Sequence, residues 1–141
     1  AYKSAAPAVI DLIGGRVDVL VASLPTSLAQ VRAQRLKAIA VASLKRSPAL
    51  PEVPTADESG VPGYEVVTWW GLLAPAGVSG NLISKINQVV VTNLKSPEMK
   101  ESLARDGAEA IGNSPAEFGA FIQKESAKWS KVIKTSGVKI E

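Results

Sequence analysis

The sequence predicts an α/β protein built around parallel strands, on three observations. Val17-Asp18-Val19-Leu20-Val21-Ala22 and Leu36-Lys37-Ala38-Ile39-Ala40-Val41-Ala42 are short, nearly continuous apolar runs, the pattern of strands buried on both faces. Between them Leu24, Leu28 and Val31 recur at helical spacing, with Pro25 at the start, where a missing N–H costs nothing. Strand, helix and strand within about 25 residues make a βαβ unit, whose crossover is right-handed in nearly all proteins.

The remaining elements follow in order. Residues 4–13 read as a helix that starts at Ser4 after a short strand and a polar turn, and Gly14-Gly15 stops it. A helix start with small residues aims unpaired N–H groups and the positive end of the dipole at one spot, which suits a carboxylate or phosphate. Small caps also start plain structural helices, so the residues alone leave both readings open. Pro48, Pro51 and Pro54, at every third position, forbid helix and interior strand, so residues 47–54 are expected to lie extended on the surface. Thr55 is placed to cap a short helix that Gly60 ends.

Residues 64–74 form a long β-prone run of on the order of 35 Å, enough to serve two sheets in succession. A helix is expected from residue 80 or 81 to 95, with Leu82, Ile86, Val89, Val90 and Leu94 on one face, and another over 98–106. Residues 108–111 read as a short strand. Ser114-Pro115-Ala116-Glu117 is a capping box with proline at the first helical position, opening a last helix over 115–136 that Gly137 ends.

Composition removes several chemistries. The hydrophobic fraction of 46% and charged fraction of 21% are those of a soluble globular protein. Absence of Cys and His excludes the usual zinc sites, thiol nucleophiles, disulfides and a histidine base. No apolar run approaches the roughly 20 residues needed to span a bilayer, so direct membrane insertion is not expected. The first residues carry no apolar h-region or cleavage pattern, as a mature or truncated chain would also show. The net charge of +3 is spread without a basic stripe, which disfavours nucleic acid.

Candidate chemical groups are few. Gly14-Gly15 follows a helix instead of preceding one, so it is a helix stop and not a phosphate loop. Asp11 is expected to face solvent, Asp18 to serve a turn, and Lys45-Arg46 to be a solvated pair. Trp69 and Trp70, adjacent in a strand, should point to opposite faces, one into a core and one towards a cleft. Ser4, Ser23, Thr26, Ser27 and Ser43 bring hydroxyls near the ends of the parallel strands, where open α/β sheets bind ligands. Without histidine a Ser nucleophile needs a Lys base, and no Ser-x-x-Lys motif accompanies these serines, so no catalytic residue is assigned.

Several ordered motifs resemble one family. They are Tyr2-Lys3-Ser4-Ala5-Ala6-Pro7-Ala8, Gly14-Gly15-Arg16-Val17-Asp18-Val19 and Ser23-Leu24-Pro25-Thr26-Ser27-Leu28. Further along stand Arg46-Ser47-Pro48-Ala49-Leu50-Pro51-Glu52-Val53-Pro54-Thr55, Gly63-Tyr64-Glu65-Val66, Trp69-Trp70-Gly71-Leu72-Leu73-Ala74-Pro75-Ala76-Gly77 and Ser114-Pro115-Ala116-Glu117-Phe118. Over essentially the whole chain they resemble the periplasmic substrate-binding receptors of tripartite tricarboxylate transporters, the Bug receptors.

The resemblance implies a periplasmic-binding-protein-like, type II flytrap fold, of which this chain is the C-terminal half. Residues 1–66 would be the remainder of ligand-binding lobe two, and residues 67–141 the crossover strand and the C-terminal part of lobe one. It implies a periplasmic receptor that captures a small organic carboxylate and delivers it to membrane transporter subunits, with no catalysis, no cofactor and no metal. Ser4, Ala5 and Ala6 would offer backbone N–H groups, with the Ser4 hydroxyl, to a ligand carboxylate, and the Ala22-Ser23 step would lie beside it. Family members often carry an acidic residue where this chain has Ala22, which implies a plain carboxylate and not an amino acid as ligand. The missing N-terminal half, or a second copy of the chain, is the expected protein partner. The alternative is the effector-sensing domain of a transcription regulator, which shares the two-lobed architecture.

Overall fold

The structure, a computed structural model, describes residues 2–137. It contains α1 (Ala5–Ile13), α2 (Leu24–Arg32), α3 (Gly80–Leu94), α4 (Pro97–Arg105) and α5 (Pro115–Ser136). Each of the five longer expected helices is present, and α5 has the expected bounds. Its start is the capping box: the Glu117 N–H donates to Ser114 Oγ at 3.2 Å and the Ser114 N–H to Glu117 Oε2 at 2.8 Å. Gly137 ends it in the left-handed region at φ 68°.

Three helices end in the same way. After α1 the Arg16 N–H reaches the Asp11 carbonyl at 2.9 Å and the Gly15 N–H reaches Leu12 at 3.2 Å. After α2, Arg35 bonds to Gln30 and Gln34 to Val31, both at 2.9 Å; after α4, Ala108 bonds to Leu103 at 2.9 Å and Gly107 to Ala104 at 3.1 Å. These are Schellman closures, in which a residue at positive φ lets two N–H groups turn back onto orphan carbonyls. Gly15 and Gly107 take that position at φ 70° and 75°, whereas after α2 it falls to Gln34 at φ 56°.

The strands differ from expectation. Residues 17–22, 36–42, 64–74 and 108–111 carry no ladder; the described residues hold one parallel bridge, Val41 to Thr55. There the Val41 N–H donates to the Pro54 carbonyl and the Ala56 N–H to the Val41 carbonyl, both at 2.9 Å, and the Val66 N–H meets the Ala42 carbonyl at 2.8 Å. An extended segment becomes a strand only where a neighbour takes its backbone groups, and among the described residues these segments find such partners only around Val41, Ala42 and Val66.

The proline segment also departs from its expected surface course. It folds into two tight turns, with the Leu50 N–H on the Ser47 carbonyl at 3.0 Å and the Val53 N–H on Leu50 at 3.1 Å. Those turns drive Leu50 and Val53 inward against Leu28, with Leu24, Val31, Ala38, Val41 and Ala49 around them. Thr55 is fully buried and caps a turn in place of the expected short helix: its N–H donates to Glu58 Oε2 at 2.8 Å, and its Oγ1 accepts from the Glu58 N–H at 3.0 Å.

The chain divides into two compact units, Ala1–Leu72 with Pro97–Ala110, and Leu73–Ser96 with Ile111–Glu141. The change of unit near residue 72 lies within the long extended run, and α4 groups with the first unit. In the first unit α1 touches α2, and the Arg32 guanidinium donates to the Arg105 carbonyl at 3.1 Å, fixing α4 to the end of α2. In the second, α3 touches α5, and the Asn87 amide donates to the Asn113 carbonyl at 2.9 Å. Glu125 on α5 is buried. It accepts from Trp129 Nε1 at 3.1 Å and pairs with Lys128, and these contacts, Lys128 foremost, hold its carboxyl below the usual range. The later part of the α5 apolar stripe, Trp129, Val132 and Ile133, is exposed. No helix among the described residues is long and apolar enough to cross a membrane.

Candidate functional site

The five expected ligand-binding residues fall at the starts of two touching helices of the first unit: Ser4, Ala5 and Ala6 at α1, and Ala22 and Ser23 at α2. Ser4 has the extended conformation of an N-cap, φ −157° and ψ 170°, yet its side chain makes no cap bond. An N-cap hydroxyl accepts from the second or third helical N–H; the third residue of α1, Pro7, has none, and the Ala6 N–H, which could serve, is not bonded to Ser4. Among the described residues the N–H groups of Ala5 and Ala6 have no acceptor outside the helix, and the Ser4 hydroxyl makes no cap bond.

Ser23 is more committed. Its hydroxyl lies 3.2 Å from Thr26 Oγ1, and its carbonyl accepts from the Thr26 N–H at 3.1 Å and the Thr26 hydroxyl at 2.7 Å. Those bonds close the first turn of α2 and leave Ser23 little to offer a ligand. Ala22 is half-buried and adds no polar side chain. Two concavities lie elsewhere. An open one of about 520 Å³ is lined by Val31, Gln34, Arg35, Leu36 and Glu52 among others, and an apolar one of about 370 Å³ runs along α3.

Asp11, expected to face solvent, instead anchors a brace around α1. Tyr2 donates its hydroxyl to Asp11 Oδ2 at 2.9 Å, and Arg16 donates Nη1 to Oδ1 at 2.6 Å. The brace ties the residues just before Ser4 to the turn that ends the helix. Helix-face reasoning missed it because Tyr2 and Arg16 both lie outside the helix and obey no helical spacing. Arg16 first, then Tyr2, holds the Asp11 carboxyl below its usual range, and the bond to Asp11 raises the Tyr2 hydroxyl. A depressed carboxylate stabilises the fold above its unfolded pKa and loses that contribution as pH falls through the folded value. The Tyr2 contribution runs the other way: present below its unfolded pKa, it is lost as pH rises through the raised folded value. An Arg16→Gln variant is expected to move the Asp11 midpoint, followed by carboxyl-carbon NMR, back up towards the ordinary range. An unmoved midpoint would mean that the pair is not formed in solution.

The basic residues are likewise engaged. Arg46 is not a free surface charge: it pairs with Glu58 at 2.9 Å and donates to the Pro51 carbonyl at 3.2 Å. The Thr55 N–H first, then Arg46, lowers the Glu58 carboxyl. Trp70 is 70% exposed and Trp69 40%, so neither joins the small core of this chain as one was expected to. Among the described residues no cluster of three or more acidic side chains is grouped to hold a metal ion.

Comparison with known proteins identifies the fold as part of a solute-binding protein. The structure of Rpa4515 from R. palustris with adipate matches with a TM-score of 0.87 and 38% identity, over 96% of this chain and 46% of that one. The periplasmic binding protein BugD matches with a TM-score of 0.85 and 35% identity, over 99% and 48%. MatC from Rhodopseudomonas palustris with bound malate matches with a TM-score of 0.81 and 30% identity, over 94% and 46%. The sequence pattern of the family described as "Tripartite tricarboxylate transporter family receptor" matches residues 1–138, and the chain belongs to that family. A relative from Pseudomonas sp. (strain P51), the UPF0065 protein in the tcbD-tcbE intergenic region, is 36% identical over 94% of this chain and 40% of its own length. The chain thus spans less than half the length of these proteins.

Proposed function

We propose that this chain is part of a periplasmic solute-binding receptor that grips a small organic carboxylate at the start of α1 and hands it to membrane transporter subunits. It does so by binding alone, without catalysis, cofactor or metal. The observation that carries the reading is the pair of N–H donors at Ala5 and Ala6, with no cap bond from the Ser4 side chain to either. Two aligned N–H groups and the helix dipole favour a carboxylate oxygen with no charged side chain nearby. Support for a carboxylate comes from the relatives with adipate and with malate, and Ala22 offers nothing to hold an ammonium group. In this reading residues 1–66 belong to the ligand-binding lobe. Residues 67–141 supply the crossing and the C-terminal part of the other lobe, except for α4, which groups with the first unit.

Proline at residue 5 gives a selective test. Ala5 is the first helical residue, where proline fits, and the extended Ser4 before it suits a proline that follows. Ala5→Pro therefore removes one donor and leaves α1 intact. Adipate affinity by calorimetry is expected to fall on the order of tenfold or more, the size of one hydrogen bond to a charged group, with unchanged helicity by circular dichroism. An unchanged affinity, or tighter binding of an amino acid than of the matching dicarboxylate, would overturn the reading.

A further inference from the structure

The serines that begin α2, α3 and α5 share one backbone setting, with φ −67°, −61° and −68° and ψ 144°, 141° and 160°. Ser4 keeps a similar ψ of 170° but lies at φ −157°, roughly 90° from the others. All four are allowed extended backbone, so sterics alone do not choose between them. The two angles act on different sides of the residue. At an N-cap, ψ sets the side chain against the helix, whereas φ sets the direction from which the preceding chain arrives. Residues 2 and 3 therefore approach α1 from a side that the other three helices do not use. The Tyr2 hydroxyl, bonded to Asp11 Oδ2 at 2.9 Å, ties them there. Asp11 shares a helix face with Ser4 and Pro7, so that bond draws residue 2 along the flank of the helix. The start of α1 stays uncovered: Ser4 and Ala6 are exposed and Ala5 is half-buried.

We propose that Tyr2 and Asp11 are positioning residues of the carboxylate site: their bond holds the approach to α1 on one flank, so that the Ala5 and Ala6 N–H groups stay uncovered for the ligand. The proposal rests on the carboxylate reading. An acid in the last turn of a helix opposes the dipole, so Asp11 does not stand there for the sake of α1 itself. Its two oxygens instead serve two partners from outside the helix. Arg16 takes Oδ1 at 2.6 Å, but it comes from beyond the last turn and does not hold residues 2 and 3. Its side chain is 75% exposed, and exposed pairs contribute little. Without the Tyr2 bond the approach is free to take the setting of the other three serines. A site that is correctly formed for only a fraction of the time binds more weakly by that fraction.

Tyr2→Phe at neutral pH keeps the ring and deletes the hydroxyl, and two measurements follow it. The NMR coupling between the Ser4 amide and α protons reports φ and needs no ligand. It should move towards the value shared by Ser23, Ser79 and Ser114. Adipate affinity by calorimetry should fall about fivefold, as for an approach correctly placed roughly a fifth of the time. Asp11→Ala should fall as far and the double variant no further, because both changes remove one bond. Arg16→Gln should stay within about twofold of the parent, since the exposed pair does not hold the approach. Equal losses in Tyr2→Phe and Arg16→Gln would show that the network only supports α1, and would overturn the proposal. So would an unchanged Ser4 coupling, or an unchanged adipate affinity, in Tyr2→Phe. Ala5→Pro measured alongside separates the two readings. Full affinity there removes the carboxylate site itself, whereas a loss there with none in Tyr2→Phe removes the positioning role alone.

Discussion

Leu28→Ala is expected to lower the stability of the first unit by about 2–5 kcal/mol, the cost of deleting a buried leucine and leaving its cavity. Leu28 is 3% exposed and lies with Leu50 and Val53 at the centre of the one cluster of buried residues. The cavity has little chance to collapse, because Leu50 and Val53 are held by the proline turns and Val53 is followed by the bonded residues Pro54 and Thr55. Small domains hold only about 5–15 kcal/mol in all, so this change should remove most of the cooperative transition in a urea titration followed by Trp69 and Trp70 fluorescence. Leu28→Met keeps the volume and should cost less than about 1.5 kcal/mol. Equal midpoints for the two variants would show that the cluster is not what holds the unit together.

Gly107→Ala is the second large effect, from two sources that can be separated. Gly107 sits at φ 75°, where an alanine is strained by about 1 kcal/mol or somewhat more. Its Cβ would also stand 2.8 Å from Leu24 Cγ, 2.9 Å from Leu24 Cδ2 and 3.2 Å from Leu28 Cδ2. The Cγ atom is near the root of the side chain and cannot swing clear as a tip would, so overpacking adds about 1–3 kcal/mol. In a Leu24→Ala background the crowding disappears and only the backbone strain should remain. A double-mutant cycle in urea is thus expected to show a favourable coupling of about 1 kcal/mol or more between the two changes. Additivity would mean that α4 does not close against α2 at Gly107.

The helices were legible because their signals are local. The capping box at Ser114 and the glycine at residue 137 bound α5 without reference to anything else in the chain. The strands were legible as apolar runs, but pairing is a relation between segments, and a run such as residues 17–22 does not state which neighbour it awaits. The proline segment misled for a different reason. Prolines bar ladder bonds without setting the direction of residues between them, so Leu50 and Val53 could turn inward. Asp11 was read on its helix face alone, while its partners Tyr2 and Arg16 come from before and after the helix.

The backbone closures that end α1, α2 and α4 bear on the order of events when the chain folds. Each helix completes its own terminus with bonds spanning six residues or fewer, on the microsecond scale of local helix formation. The segments that follow the first two closures lead directly into residues 17–22 and 37–40, which make no backbone hydrogen bond among the described residues. Closure of the helical ends therefore does not wait on the longer-range backbone bonds of the first unit, Val41 to Pro54 and Val66 to Ala42, which form as a separate and slower stage.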